Sequence, residues 1–197
     1  MWTESHQESP LHSLAPLRSP ADSEDARRLR IVERPFLDLA VLRGNARSPA
    51  FVQAIERALG APPPVAPNTV AHGHRYLMAW MGPDEWWVQS LMPARPTLEP
   101  TLRPSLLGQS ACVVDVSSGY TVLELRGEHV RDVLEKGCPL DLHPRVFGAG
   151  QCAQSHYFKA GVMVRALNDG GVEAVVRRSF ADYVGRMLLD AAREYLP

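Results

Sequence analysis

The sequence predicts an α+β fold made of two similar halves, each with the plan of two strands, a helix, three strands and a helix. Three observations carry this reading. Runs rich in Val, Ile and Leu alternate with stretches of helical spacing. Leu42-Arg43-Gly44 and Leu125-Arg126-Gly127 each precede a helical stretch, and each of those stretches stops at a glycine. Each half then carries a hairpin, around Gly82-Pro83-Asp84 and around Asn168-Asp169-Gly170-Gly171, where Asn, Asp and Gly accept the positive φ of tight turns. The halves span about 28–108 and 109–197 and together make one domain. Residues 1–27, rich in Ser, Pro, His and acidic residues without periodicity, read as a disordered arm, or as one that orders against a partner.

In the first half, Leu29 to Glu33 and Phe36 to Leu42 read as strands. Ser48-Pro49 opens a helix, since Ser caps free amides and Pro fits the first helical position. Phe51, Ile55 and Leu59 form its apolar face and Gly60 ends it. Prolines from 62 to 67 make a loop, and Tyr76 to Trp80 pairs with Trp86 to Leu91. Leu98 to Leu107 is a short or broken helix because Pro93, Pro96, Pro100 and Pro104 interrupt it.

In the second half, Val113 to Ser117 and Tyr120 to Arg126 are strands, followed by a helix from about Glu128 to Lys136 with Gly137 as its stop. Cys152 to Phe158, Gly161 to Ala166 and Val172 to Val176 are strands. Ser179-Phe180-Ala181-Asp182 has a capping-box pattern, and Phe180, Val184, Met187, Leu188, Ala191 and Tyr195 form the buried stripe of the last helix.

With 21 basic and 22 acidic residues and a net charge of −1, the chain lacks the basic excess of a nucleic-acid binder. Three widely spaced cysteines argue against a disulfide framework. There is no signal peptide and no run long enough to span a membrane, so the expectation is a soluble cytoplasmic protein.

Gly148-Ala149-Gly150-Gln151-Cys152-Ala153 has the letters of a dinucleotide loop but enters a strand rather than a helix, so it reads as a turn. His72 and His74 lack the further ligands that zinc needs. Cys138 follows a helix C-terminus, whose partial negative charge disfavours a thiolate, and Cys112 and Cys152 read as core. No residue is assigned a catalytic, cofactor-binding or metal-binding role. Trp80, Trp86 and Trp87 surround the first hairpin turn. Adjacent strand residues face opposite sides, so one Trp of the pair fills the core and the other is an interface anchor, or both are shielded by the chain's own loops. Arg177 and Arg178 either grip a partner carboxylate or flank the last helix cap.

Four stretches occur in order. They are Trp80-Met81-Gly82-Pro83-Asp84-Glu85-Trp86, Val114-Asp115-Val116-Ser117, Lys136 through Cys138-Pro139-Leu140-Asp141-Leu142-His143-Pro144, and Arg177-Arg178-Ser179-Phe180-Ala181-Asp182-Tyr183. In these the chain resembles the γ subunit family of heterotetrameric sarcosine oxidase, over about Asp38 to Leu196. Gly119 and Tyr120 stand where that family often has more polar or basic residues. The resemblance implies a fold like the folate-binding core of aminomethyltransferases. It implies a non-catalytic subunit that supports oxidative demethylation of sarcosine to glycine, with one-carbon transfer to tetrahydrofolate on partner chains. The implied partners are the α, β and δ subunits. FAD, FMN, NAD and tetrahydrofolate are expected on the partners, and zinc on the δ subunit. Aminomethyltransferases place an acidic residue in a strand matching Ala160-Gly161-Val162-Met163-Val164, which here has none, and Asp169 lies one turn away. The alternative is a stand-alone folate-binding or aminomethyltransferase-like protein.

Overall fold

The computed structural model describes residues 7–14, 17 and 25–196. After a four-residue helix α1 (Asp25–Arg28), the first part of the chain runs β1 (Arg30–Arg34), β2 (Leu37–Arg43), α2 (Pro49–Leu59), β3 (Val70–His72), β4 (Tyr76–Gly82), β5 (Glu85–Pro93) and α3 (Leu98–Leu102). The second part runs β6 (Cys112–Asp115), β7 (Tyr120–Arg126), α4 (Val130–Glu135), β8 (Cys152–Tyr157), β9 (Ala160–Ala166), β10 (Val172–Arg177) and α5 (Ala181–Ala191). The sequence reading named no residues for β3, which is only three residues long.

The strands form two five-stranded sheets, ordered β1-β7-β10-β9-β8 and β3-β4-β5-β2-β6, and every pairing is antiparallel. β1 and β2 are consecutive in sequence yet lie in different sheets, and so do β6 and β7. The chain crosses between sheets at Pro35-Phe36 and again at 116–119. Each sheet has helices on its outer face. Phe51, Ile55 and Leu59 of α2 and Leu98 and Leu102 of α3 pack on Ala40, Leu42, Met78, Trp86 and Val88. α4 and α5 pack on β1, β7, β9 and β10 through Val130, Val133, Val184 and Leu188. The inner faces meet at Leu37, Leu39, Trp87, Val122, Cys152, Met163 and Val175. Strand alternation accounts for this layering: Leu39 faces the other sheet, whereas Ala40 and Leu42 face the helices.

The α2 boundaries follow local chemistry. Ser48 accepts from the Phe51 amide at 3.5 Å, Pro49 starts the helix, and Gly60 at φ 87° donates to the Glu56 carbonyl at 2.8 Å. α3 is capped from a distance. The buried Asp38 carboxylate of β2 accepts from the Thr97 and Leu98 amides at 2.8 and 3.0 Å. The start of α5 departs from expectation. A 3-10 turn, Arg178–Phe180, precedes it, and its cap position is Phe180 with no side-chain cap bond. The turn rotates Phe180 out of the buried stripe, leaving it 43% exposed.

The N-terminal segment is not a loose arm where it is described. Leu11, Leu14 and Leu17 are buried in the core of the α5 side, and Ser9 donates to the Glu33 carboxylate. Glycine at 185 makes this seat. A Cβ there would meet Leu14 Cδ1 at 2.7 Å, with Leu17 and Leu11 close behind. The leucine spacing was masked in the sequence by the Ser, Pro and His around it. The rest of the 1–27 stretch lies outside the described residues, apart from 25–27.

One polar cluster sits in the otherwise apolar layer between the sheets. Glu173 of β10, 1% exposed, accepts from Arg34 Nη1 at 2.7 Å and from Arg165 Nη2 and Nε at 2.5 and 3.2 Å. Gln89 of the opposite sheet donates to the same carboxylate at 3.1 Å, and Arg34 also donates to the Leu91 carbonyl of that sheet. Burial works to raise the Glu173 carboxyl, but Arg165 and then Arg34 outweigh it and hold it below the usual carboxylate range.

Leu11→Ala is expected to destabilise the chain by about 2–5 kcal/mol in urea unfolding, because the site is fully buried; a loss under about 0.5 kcal/mol would show that the segment adds nothing to the core. Glu173→Gln strands two guanidiniums without their counter-charge and is expected to cost about 3–5 kcal/mol. Since folded Glu173 binds its proton less readily than unfolded, its contribution is full above the ordinary carboxylate pKa. It is lost as pH falls through the lower folded value. Acid unfolding curves should show that loss in the parent and not in Glu173→Gln.

Candidate functional site

The two crossovers bring Pro35-Phe36 and Ser117–Gly119 to one end of the sheet pair. Asp115 closes its own turn, accepting from the Ser117 amide at 2.9 Å and from Ser117 Oγ at 2.6 Å. Ser117 Oγ in turn accepts from the Leu39 amide at 2.9 Å, which ties the second crossover to β2. Phe36 sits at φ 59°, a left-handed conformation that is unusual for a bulky residue, and its ring is 42% exposed. A groove of about 280 Å³ runs between these turns, lined among others by Phe36, Pro96, Ser118, Tyr120 and Arg178.

A second cleft of about 290 Å³ opens between the sheets and shares Tyr120 with the groove. Its walls include Trp87 and Val41 from one sheet and Met163, Val175 and Arg177 from the other. Tyr120 meets Trp87 edge-on at 5.0 Å and lies under the Arg177 guanidinium at 5.5 Å. Gln154 closes one side by donating to the Met81 carbonyl at 2.8 Å.

The expected interface residues separate. Trp86 and Trp87 are both buried, so neither is an external anchor. Trp86 fills the helix side against Phe51 at 5.6 Å and donates to the Pro64 carbonyl at 2.8 Å, so the proline loop is its cover. Trp87 fills the layer between the sheets and donates to Gln89 Oε1 at 3.2 Å. A strand covered on both faces has no outward side, which the alternation argument had assumed. Trp80 lies opposite Trp86 in the β4–β5 ladder and is half-buried. Arg177 and Arg178 are both exposed beside the groove and cleft.

Other candidates resolve into structural roles. Cys112 is exposed on the edge strand β6, not in the core as expected, because it lies on the strand face opposite Val113, the one β6 residue that packs against the helices. Cys152 is buried, and desolvation pushes its thiol up to about 11, so it stays protonated at neutral pH. Cys138 is buried with Sγ 3.7 Å from Ser155 Oγ. Gly148–Gln151 is a turn entering β8, and Gly148 donates to Gln151 Oε1 at 2.7 Å. Burial and then Arg165 lower the His72 pKa, against Glu173. Among the described residues no three His, Cys, Asp or Glu side chains converge as a metal site, and no helix is long and apolar enough to cross a membrane.

The acidic side chains that could serve the cleft are committed or distant. β9 carries none, Asp169 is turned outward onto Arg126, and Glu85 lies 3.3 Å from Arg43. The Glu173 cluster was missed in the sequence reading. Its signal was a single charge in a strand, Val-Glu-Ala-Val-Val, whose other residues suit burial on both faces.

The family model described as sarcosine oxidase, gamma subunit family, matches residues 43–194. A sarcosine oxidase subunit gamma from Corynebacterium sp. (strain U-96) is 29% identical over 188 residues, covering 95% of this chain and 90% of the relative. One from Arthrobacter sp is 32% identical over 116 residues, covering 59% of this chain and 56% of the relative. Among solved structures, a chain of the heterotetrameric sarcosine oxidase from Corynebacterium sp. U-96, in complex with pyrrole 2-carboxylate, superposes with a TM-score of 0.85 at 28% identity. That match covers 97% of both chains. The aminomethyltransferase T of the glycine cleavage system from Bartonella henselae superposes with a TM-score of 0.63 at 12% identity, over 86% of this chain and 47% of that one. The latter likeness shows a shared fold. By the match of the family model across most of its length, the chain belongs to the sarcosine oxidase gamma subunit family.

Proposed function

We propose that this chain is the γ subunit of a heterotetrameric sarcosine oxidase. In that role it is a structural component of an oxidoreductase that demethylates sarcosine to glycine, with the one-carbon unit passing to tetrahydrofolate on partner chains. The observation that carries the reading is the full-length superposition on a chain of such an enzyme, over 97% of both. The α, β and δ subunits are its partners. FAD, FMN, NAD and tetrahydrofolate belong to those partners, and zinc to the δ subunit. The protein acts in the cytoplasm.

The chemistry of this chain's own residues supports a structural role. One-carbon transfer needs a carboxylate free to assist the substrate amine. Glu85, the acid lining the intersheet cleft, is paired with Arg43. Glu173 in the same layer is neutralised by Arg34 and Arg165, and Asp169, in the β9–β10 turn away from the cleft, is paired with Arg126. The same reading takes residues 28–108 and 109–197 as duplicated halves. Exchanging one half for the other turns the sheet order β1-β7-β10-β9-β8 into β6-β2-β5-β4-β3, which supports it.

Co-expression of the tagged chain with its operon neighbours tests the proposal. A multi-chain species that absorbs at flavin wavelengths and oxidises sarcosine is expected in size-exclusion chromatography; a colourless species of this chain alone, with the neighbours expressed, would overturn it. Tetrahydrofolate titrated to millimolar into the lone chain is expected to leave its intrinsic tryptophan fluorescence and heat signal unchanged. Saturable binding would favour the stand-alone folate-binding reading instead.

A further inference from the structure

We infer that the crossover end of the sheet pair, from Phe36 through Tyr120 to Arg178 and Phe180, is the docking surface for a partner subunit. Its occupant is a segment that presents a carboxylate flanked by aliphatic or aromatic side chains. The inference rests on the γ-subunit reading and assigns to it a face and a chemistry.

The surface is continuous. Pro35 and Phe36 of the first crossover, Ser118 of the second, Pro96 and Arg178 line one groove. The turn 117–119 lies against the turn 178–180, which brings Phe180 alongside. Tyr120 joins the groove to the intersheet cleft, where Arg177 covers its ring.

Two features point to a protein partner. The first is apolar exposure at sites where local chemistry opposes it. Phe180 occupies the i−4 position to the buried Val184, yet is 43% exposed. Phe36 holds a left-handed φ of 59°, pinned by the bond from the Ala94 amide to its carbonyl at 3.0 Å, and presents its ring outward. A bulky residue keeps such a conformation only where its surroundings impose it. Aromatic rings with prolines beside them make the anchor pockets of subunit contacts.

The second is unmatched charge. Arg178 donates to the Glu8 carbonyl at 2.8 Å and Arg177 stacks on Tyr120, but among the described residues neither has an ion-pair partner. Arg43 and Arg186 are exposed and paired with carboxylates of this chain, whereas Arg177 and Arg178, like the exposed Arg47 and Arg57, are not, among the described residues. What distinguishes Arg177 and Arg178 is their place beside exposed rings. The acids lining the groove are already engaged: the Glu8 carboxylate lies 3.6 Å from His12, and Asp115 Oδ1 is held by Ser117. Arg178 at the groove and Arg177 at the adjoining cleft each present a guanidinium fork of the kind that binds a carboxylate in a bidentate fashion.

The test uses the co-expressed complex. Arg177→Glu/Arg178→Glu and Phe180→Ser are each co-expressed with the partner subunits, and melting of each lone chain is recorded. The parent is expected to assemble. The charge-reversed chain is expected to melt near the parent temperature and to bind its partners at least about 30-fold more weakly, with a shallower salt dependence. Phe180→Ser, whose side chain is outside the core, is the variant that decides should the double reversal destabilise the lone chain; it too is expected to weaken assembly. Both variants assembling with parental affinity and salt dependence, while the parent also assembles, would overturn this assignment and leave the subunit reading intact. A parent that forms no complex would instead overturn the subunit reading. A lone chain that dimerises, and that either variant makes monomeric, would show that a second copy of this chain occupies the face and would overturn the partner assignment.

Discussion

The fold turns on one buried carboxylate. Glu173 lies in the layer where two sheets meet, and a lone charge there would carry a desolvation penalty of several kcal/mol. It is held by Arg34 and Arg165 from its own sheet and by Gln89 from the facing one. Around it the layer is Leu, Val, Met and Trp, which pack with little directional preference. The hydrogen bonds of the cluster require one face-to-face placement of the sheets, because Glu173, Gln89 and the Leu91 carbonyl meet their partners only there. Nearby, Arg34 also reaches Glu124 of β7 at 3.7 Å, so β1 is tied to its sheet by side chains as well as by its ladder.

That placement matters because each sheet borrows a strand. β1 comes from the first part of the chain but pairs with β7, and β6 comes from the second but pairs with β2. Each part supplies four strands of one sheet, and the fifth comes from the other part. The crossings concentrate turns, prolines and an unusual backbone angle at one end of the molecule. The main-chain hydrogen bonds that a strand would have absorbed are met there by side chains such as Ser117 and Asp115. An end built this way has a fixed shape and exposed rings, which is what a docking surface needs.

The likeness to an aminomethyltransferase is one of fold, and the chemistry of the cleft separates the two questions. The cleft has an aromatic wall in Trp87 and Tyr120, and the carboxylate buried in the same intersheet layer, Glu173, is neutralised by two arginines. The same architecture has its charges spent on holding itself together.

Local pattern in the chain was enough for the order of the main elements, most of their boundaries, the family, and the turn and cap residues of α2 and of the β9–β10 hairpin, but not for the caps of α3 and α5. Helical spacing in Phe51, Ile55 and Leu59, the Ser48-Pro49 start and the Asn-Asp-Gly-Gly turn are local signals, set by contacts within a few residues. The remaining features depend on contacts between distant parts of the chain. Trp86 and Trp87 are both buried because helices cover one face of β5 and a second sheet the other, which no pattern within β5 records. Leu11, Leu14 and Leu17 are core residues because Gly185, some 170 positions away, leaves room for them. Consecutive strands part to different sheets, and Glu173 finds arginines on two other strands. Local preferences select the elements; the partners of a buried surface or charge come from distant parts of the chain, and only folding brings them together.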